Sequence, residues 1–181
     1  MRRLRRSFFA RPSTAVAPEM LNKLLVSGES IGRIVEVEAY MPNDPASHAF
    51  RGPTRRNATM FGKAGLLYIY FTYGMHHCAN VVTGSIGDGQ AVLLRAVTPV
   101  AGIDELRARR PGRADRSLAD GPGKLCQAFG LDLRHDGVDL CAAASSVFIG
   151  DDGVPPPAAP RVGRRVGIKV GVELAWRWRV P

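Results

Sequence analysis

The stretch IGRIVEVEAY, residues 31–40, alternates between two kinds of side chain. A period of two is typical of a β-strand with one face against an apolar core and the other face turned away from it. The alternation predicts a core face of Val35, Val37 and Ala39 and an opposite face of Glu36, Glu38 and Tyr40. The strand therefore presents two carboxylates and a tyrosine ring side by side.

Further segments along the chain predict more strands. Apolar and aromatic residues at 66–73, 77–83 and 90–97 form three strand-like runs, and the turn-forming GSIGDG joins the last two. The segment SVFIGDDG predicts a hairpin arm, and RVGIKV (165–170) with WRWRV (176–180) predicts the final strands.

Helices are predicted at 18–28, 101–110 and 121–130, the first from a proline in its first turn and a glycine at its end. Strands in meander order followed by helices predict a single α+β domain over residues 18–181. Its sheet is expected to be curved, mostly antiparallel and open barrel-like, flanked by short helices. Residues 1–17 are predicted to form a basic N-terminal tail that is free to be disordered.

The composition predicts a polyanionic partner. The 181 residues include 25 Lys and Arg against 16 Asp and Glu, a net charge of +9. Nucleic acid and an acidic membrane surface both fit this charge, and a basic face that binds nothing is the alternative. Arginines clustered in one loop, at Arg51, Arg55 and Arg56, favour nucleic acid. Lys124, in the first turn of a predicted helix, is a further candidate for a backbone phosphate.

Other features of the sequence argue against a membrane, a metal and a secreted protein. No apolar run reaches membrane-spanning length. The three cysteines form no CxxC pair, which predicts reduced thiols in the cytosol. The run His76-His77-Cys78 lies on a predicted strand, where neighbouring side chains point to opposite faces, so we expect neither a metal nor a cofactor.

The two carboxylates raise a catalytic hypothesis. Glycosidases use a carboxylate pair, but Glu36 and Glu38 point the same way and do not flank a bond. Arg95 interrupts the apolar run VLLRAV, and an arginine in a central strand needs a carboxylate or a ligand as partner. Two interpretations stay open: a structural ion pair, or an arginine that keeps Glu38 ionised and positions a water molecule.

The tyrosines raise a second hypothesis, because three of the four lie within six residues, at Tyr68, Tyr70 and Tyr73. Tyr70 shares a strand face with Tyr68 and is a candidate to line a pocket with Tyr40. Tyr73 falls at a turn beside the arginine-rich loop and is a candidate wedge for a DNA stack. Ordinary sheet residues are the alternative, and we prefer it for Tyr68.

Several blocks in the same order resemble the alkyladenine (3-methyladenine) DNA glycosylase family, from about Pro18 to the C-terminus. They are GRIVEVEAY, DPASHAFRGPTRRNATMFG, YIYFTYGMHHCANVV, AVLLRAV, DGPGKLCQA and RVGI. The long N-terminal extension of mammalian members is missing, which favours a bacterial-type member in the cytoplasm, associated with the nucleoid.

The resemblance implies a monofunctional enzyme that works as a monomer on double-stranded DNA. It flips a damaged purine out of the duplex and hydrolyses its N-glycosidic bond. The expected lesions are 3-methyladenine, 7-methylguanine, hypoxanthine and etheno-adenine. A non-catalytic basic nucleic-acid-binding module is the alternative, and a relative that has the fold without the pocket is another.

The resemblance also assigns roles to individual residues. Glu38 is the general base, which requires a cavity beside it, and Arg95 with the main-chain carbonyl of Val166 holds the attacking water. Three residues sandwich the flipped base, namely Tyr40, His48 and Tyr70. Asn80 rejects guanine, and Tyr73 intercalates into the duplex. Arg55, Arg56 and Lys124 remain the candidates for the DNA backbone.

Overall fold

The structure, a computed structural model, describes residues 1–72 and 74–181. Its strands are β1 Arg2–Arg3, β2 Leu24–Ser27, β3 Ser30–Tyr40, β4 Leu67–Thr72, β5 His76–Thr83, β6 Gln90–Ala101, β7 Val147–Asp151, β8 Arg161–Gly163 and β9 Arg177–Arg179. Its α-helices are α1 Arg6–Phe9, α2 Ser13–Met20, α3 Ile103–Arg109 and α4 Pro122–Phe129, with 3-10 turns at Ala58–Phe61, Asp115–Ser117 and Leu133–His135.

The strands form one curled antiparallel sheet with the order β1-β7-β2-β3-β6-β5-β4. β6 pairs with one edge of β3 over nearly its whole length, while β2 and then β9 share the other edge. β8 pairs only with β9. This half-barrel with a few short helices confirms the predicted α+β class, and it makes β3 the central strand.

The ladder between β3 and β6 has three register shifts, and two of them change the pattern of side chains next to Glu38. Val35 has no register partner on β6, and Arg95 has none on β3. An extra residue at a bulge turns the following side chains to the opposite face. The core face is therefore Ile34, Val37 and Ala39, and the prediction that Val35 belongs to it was wrong.

The main core lies between one face of the sheet and the helices. α2 packs against β3, and α4 packs against β5 and β6. Gly130 ends α4 with a φ of 65°, a left-handed conformation that glycine adopts without a steric penalty, so the predicted helix at 121–130 is confirmed. The opposite face of the sheet carries a smaller cluster of buried residues, at Ala49, Met60, Tyr68, Val82 and Ala91.

Three local predictions need correction. The helix expected at 18–28 ends at Met20, because Leu24–Ser27 pairs with strands on both sides and this pairing overrides helical periodicity. Residues 1–17, expected as a tail, form β1, α1 and most of α2, with Phe9 and Val16 fully buried. RVGIKV (165–170) is not a strand, because the pairing with β9 is made by Arg161–Gly163.

Within the described residues, no helix is both long enough and apolar enough to cross a membrane.

Candidate active site

The Glu38 carboxylate lies at the centre of a set of hydrogen-bond donors. Its side chain is 0% exposed. Oε1 accepts the backbone N–H of Val166 at 2.8 Å and lies 3.2 Å from Nη1 of Arg95. Oε2 accepts the hydroxyl of Tyr40 at 2.9 Å. Donors reach both of its oxygens, so Glu38 is an oriented carboxylate in a site closed to bulk water.

Arg95 holds both carboxylates of β3. Its Nε donates to Glu36 at 2.7 Å, and Nε of Arg177 donates to the same oxygen at 2.7 Å. Burial acts to raise the pKa of Glu36, but the hydrogen bonds from Arg177 and Arg95 outweigh it and lower that pKa. Burial acts to lower the pKa of Arg95, but the charge of Glu38 and the bond to Glu36 outweigh it. The structural ion pair is therefore present, and the contact with Glu38 is present beside it.

A small aromatic cleft opens next to this set of donors. It is lined by Tyr40, Ala46, His48, Met60, Tyr68, Tyr70 and Asn80. The rings of His48 and Tyr70 meet edge to face with centroids 4.4 Å apart, and Nδ1 of His48 lies 2.9 Å from the hydroxyl of Tyr68. The fold thus brings together the four residues that the sequence assigned to the substrate, from three strands and the loop after β3.

The ionisable groups in this cleft are neutral near pH 7. Burial raises the pKa of Tyr40 and of Tyr70 far above the ordinary phenol value, and it raises the pKa of Tyr68 to about 12. Desolvation, followed by the charge of Arg56, lowers the pKa of His48. Neutral aromatic rings keep the electron-rich faces that attract a cation.

The structure differs from the sequence-based picture of the catalytic residue in two respects. Glu38 does not line the cleft, because Tyr40 lies between its carboxylate and the cleft. The ring of Tyr40 is in the cleft wall, and its hydroxyl donates to the carboxylate. Val166 contacts Glu38 through its amide N–H, whereas the sequence assigned its carbonyl to the attacking water. The expected open cavity beside Glu38 is therefore filled by a tyrosine hydroxyl.

Comparison with known proteins identifies the family of the chain. The sequence pattern described as methylpurine-DNA glycosylase matches residues 7–181. The chain belongs to this family. It is a DNA glycosylase, a hydrolase of N-glycosyl bonds that acts on DNA, which confirms the resemblance and the predicted enzyme class.

Curated relatives agree with the assignment to methylpurine-DNA glycosylases, and their provisional names all read 3-methyladenine DNA glycosylase. A protein of Burkholderia cenocepacia is 53% identical over 179 residues, covering 97% of this chain and 86% of the relative. One of Carboxydothermus hydrogenoformans is 46% identical, with coverages of 97% and 93%. One of Methanoculleus marisnigri is 44% identical, with coverages of 95% and 92%.

The residues that the sequence analysis assigned to contacts with the DNA backbone differ from one another in their surroundings. Arg56 donates from Nη2 to the carbonyl of Phe71 at 2.8 Å, beside the mouth of the cleft. Lys124 pairs with Asp120 at 2.8 Å. Arg55 is exposed. The intercalating role of Tyr73 falls on a residue outside the described ones, and all four roles remain predictions.

Sequence reasoning missed two residues of the glycosylase site, Arg165 and Asp44. They form a fully buried ion pair, and the guanidinium carbon of Arg165 lies 4.7 Å from the centre of the Tyr40 ring. The sequence offers no signal that separates Arg165 from its neighbour Arg164. Asp44, within PNDP, has the appearance of an ordinary turn residue.

Proposed function

We propose that the protein removes alkylated and deaminated purines from double-stranded DNA by base flipping, with Glu38 as the general base and water as the nucleophile. The observation that carries the proposal is the carboxyl group of Glu38, held by Arg95 and Val166 directly behind an aromatic cleft. A general base needs hydrogen-bond reach to the proton it removes, and a carboxylate fixed from two sides offers that in one orientation.

The Tyr40 hydroxyl determines when water reaches Glu38. It is the donor on Oε2, and its ring stands in the wall of the cleft. In the proposal, a base that stacks on Tyr40 shifts the ring, the hydroxyl gives up its bond, and water takes that position on Oε2. Glu38 then removes a proton from the water as it attacks C1′ of the flipped nucleotide.

The cleft supports a preference for alkylated purines. A purine such as 3-methyladenine carries a positive charge, which makes it a good leaving group and draws it to electron-rich rings. A cation–π contact contributes about 0.5–2 kcal/mol, and Tyr40, Tyr70 and the neutral His48 are placed to provide such contacts. Hypoxanthine and etheno-adenine lack this charge, so we expect them to be removed more slowly.

Asn80 supports selection against normal guanine. It is 4% exposed, lies in the cleft wall, and its Nδ2 donates to the carbonyls of Tyr68 and Cys78 at 3.1 and 3.4 Å. Both bonds fix the amide, so a base with an exocyclic amine at this point meets a rigid obstacle. Tyr73 is proposed to fill the gap in the duplex, and the enzyme is proposed to act as a monomer in the cytoplasm.

Incubation with a duplex that carries 3-methyladenine tests the proposal. We expect free 3-methyladenine and an intact strand with an abasic site, because water and not an amine is the nucleophile. Glu38→Gln should bind the lesion duplex and release no base. Base release by Glu38→Gln at the wild-type rate would contradict the role of Glu38, and release of no base by the wild-type protein would favour a non-catalytic binding module.

A further inference from the structure

We propose that Arg165 and Asp44 form a positioning pair that sets the geometry of Glu38 and Tyr40 for base release. The inference rests on the proposed function, because it concerns how that carboxylate and that ring are held. Neither residue touches the cleft, so both would act through their neighbours.

The pair joins three separate pieces of chain around the site. Both side chains are 0% exposed, and both guanidinium ends of Arg165 contact the two oxygens of Asp44. Nη1 also donates to the carbonyl of Ala39 at 3.2 Å, and Nη2 to that of Gly171 at 3.3 Å. Arg165 thus fixes β3, the loop after it and the C-terminal segment 164–171 relative to one another.

Each of these pieces carries a residue of the site. The residue after Arg165 is Val166, whose N–H donates to Glu38. The residue after Ala39 is Tyr40, whose ring has the Arg165 guanidinium 4.7 Å from its centre. A shift of Arg165 would therefore move a donor of Glu38 and the face of Tyr40 together, and displacement by about 1 Å can cost about 100-fold in rate.

Stability alone does not explain such a pair. A buried ion pair costs desolvation energy, and well-packed apolar residues of similar size often replace one without loss of stability. Nε of Arg165 is also buried without a hydrogen-bond partner. A purely structural role would be met by apolar side chains, whereas a positioning role needs the fork of the guanidinium and its bond to Asp44.

The difference between lesion binding and base release gives a readout that folding alone would not change. The charged and titratable groups that face Glu38 are Arg95 from β6, Tyr40 and Glu36 from β3, Cys78 from β5 and Arg165 from the C-terminal segment, with Arg177 of β9 on Glu36. If Val166 loses its alignment, Glu38 loses a donor that orients its carboxylate. Base release then slows, while binding of the lesion duplex is retained.

The test replaces both partners at once, as Arg165→Met with Asp44→Leu, so that no buried charge is left unpaired. The matched control is Arg33→Met with Asp152→Leu, which removes an ion pair at the other end of β3. Three properties are measured for each double variant. They are the melting temperature, the rate of single-turnover base release from pH 5 to 9, and binding to a lesion duplex in the Glu38→Gln background.

We expect the double variant to fold, to bind the lesion duplex as the wild type does and to release base about 100-fold more slowly. The control should match the wild type in both measurements. A folded double variant with the wild-type rate of base release would overturn the inference. If it does not fold, Arg165→Lys decides, because this variant keeps the charge and loses the fork: slower release with binding retained supports the pair, and an unchanged rate overturns it. Glu38→Gln, measured in parallel, tests the proposed function independently.

Discussion

Both faces of β3 carry fully buried side chains, but the two faces differ in what these side chains require of their neighbours. On the core face, Ile34, Val37 and Ala39 are 0% exposed and belong to the main apolar core. On the other face Glu38 is also 0% exposed, yet donors reach both of its oxygens. Apolar contacts are non-directional and tolerate many combinations of side chains, whereas a buried carboxylate requires partners at fixed positions.

The charges on the site face compensate one another. The three carboxylates Glu36, Glu38 and Asp44 are matched by three guanidiniums, those of Arg95, Arg165 and Arg177. The group is therefore neutral, which limits the cost of burying it. This group of six side chains therefore adds no net charge beside the cleft that would repel a cationic base.

The largest expected effect comes from replacing the two carboxylates of β3 one at a time. Glu38→Gln should slow single-turnover base release about 100- to 10,000-fold, the usual contribution of a general base. Glu36→Gln should cost much less, because a glutamine oxygen still accepts from Arg95 and Arg177. Equal losses in the two variants would show that the ion pairs, rather than the base at position 38, set the rate.

A core-face variant should have the opposite phenotype. Leu94 is fully buried on β6 and belongs to the main core. Leu94→Ala should lower the free energy of unfolding by about 2–5 kcal/mol, measured by chemical denaturation. At a temperature where the variant is folded, its base release should stay close to that of the wild type. A large loss of activity in the folded variant would mean that the two faces are coupled.

The sequence predicted the strands of the sheet better than their side-chain faces. Period-two alternation located β3, because alternation reports directly on a strand with two different faces, and apolar and aromatic runs bounded by turn residues located the segments of β4, β5 and β6. It misassigned Val35, because a bulge depends on the partner strand and leaves no trace in one sequence. The helix predicted at 18–28 was wrong for the same reason, since Leu24–Ser27 is extended by pairing on both sides.

The sequence also predicted which residues surround the cleft but not how the site is closed. Glu38, Tyr40 and Arg95 are neighbours through the strand and its partner, and that proximity follows from register. The bond from Tyr40 to Glu38 depends on how the Tyr40 side chain is turned, and the pair Arg165–Asp44 joins segments 121 positions apart. Such long-range contacts between loops depend on the packed fold, and local sequence patterns do not predict them.

Removal of the Tyr40 hydroxyl tests, with the loss of one oxygen atom, how strongly the site face of β3 depends on a single donor. Tyr40→Phe keeps the ring in the cleft and removes the donor on Oε2 of Glu38. This hydroxyl is one of the donors that orient the carboxylate, so its loss should slow single-turnover base release, by less than Glu38→Gln does. Binding of the lesion duplex should be retained, because the ring in the cleft is unchanged.

Tyr70→Phe is the control for this prediction. Its hydroxyl lies by Cys78 rather than on Glu38, so base release should stay close to the wild-type rate. Equal losses in the two variants would mean that a general change in the cleft, and not the loss of the bond from Tyr40, causes them.

The smallest expected effect concerns the basic surface outside the cleft. Arg55 is exposed and is predicted to contact one phosphate, whereas Lys124 is held by Asp120 in the free protein. Arg55→Ala should lower the slope of log affinity against log salt by about 1, with lesion preference unchanged. Lys124→Ala should lower it less, because the phosphate must first displace the carboxylate. Titration of lesion and undamaged duplexes at several salt concentrations measures both slopes, and an unchanged slope in Arg55→Ala would remove that residue from the DNA interface.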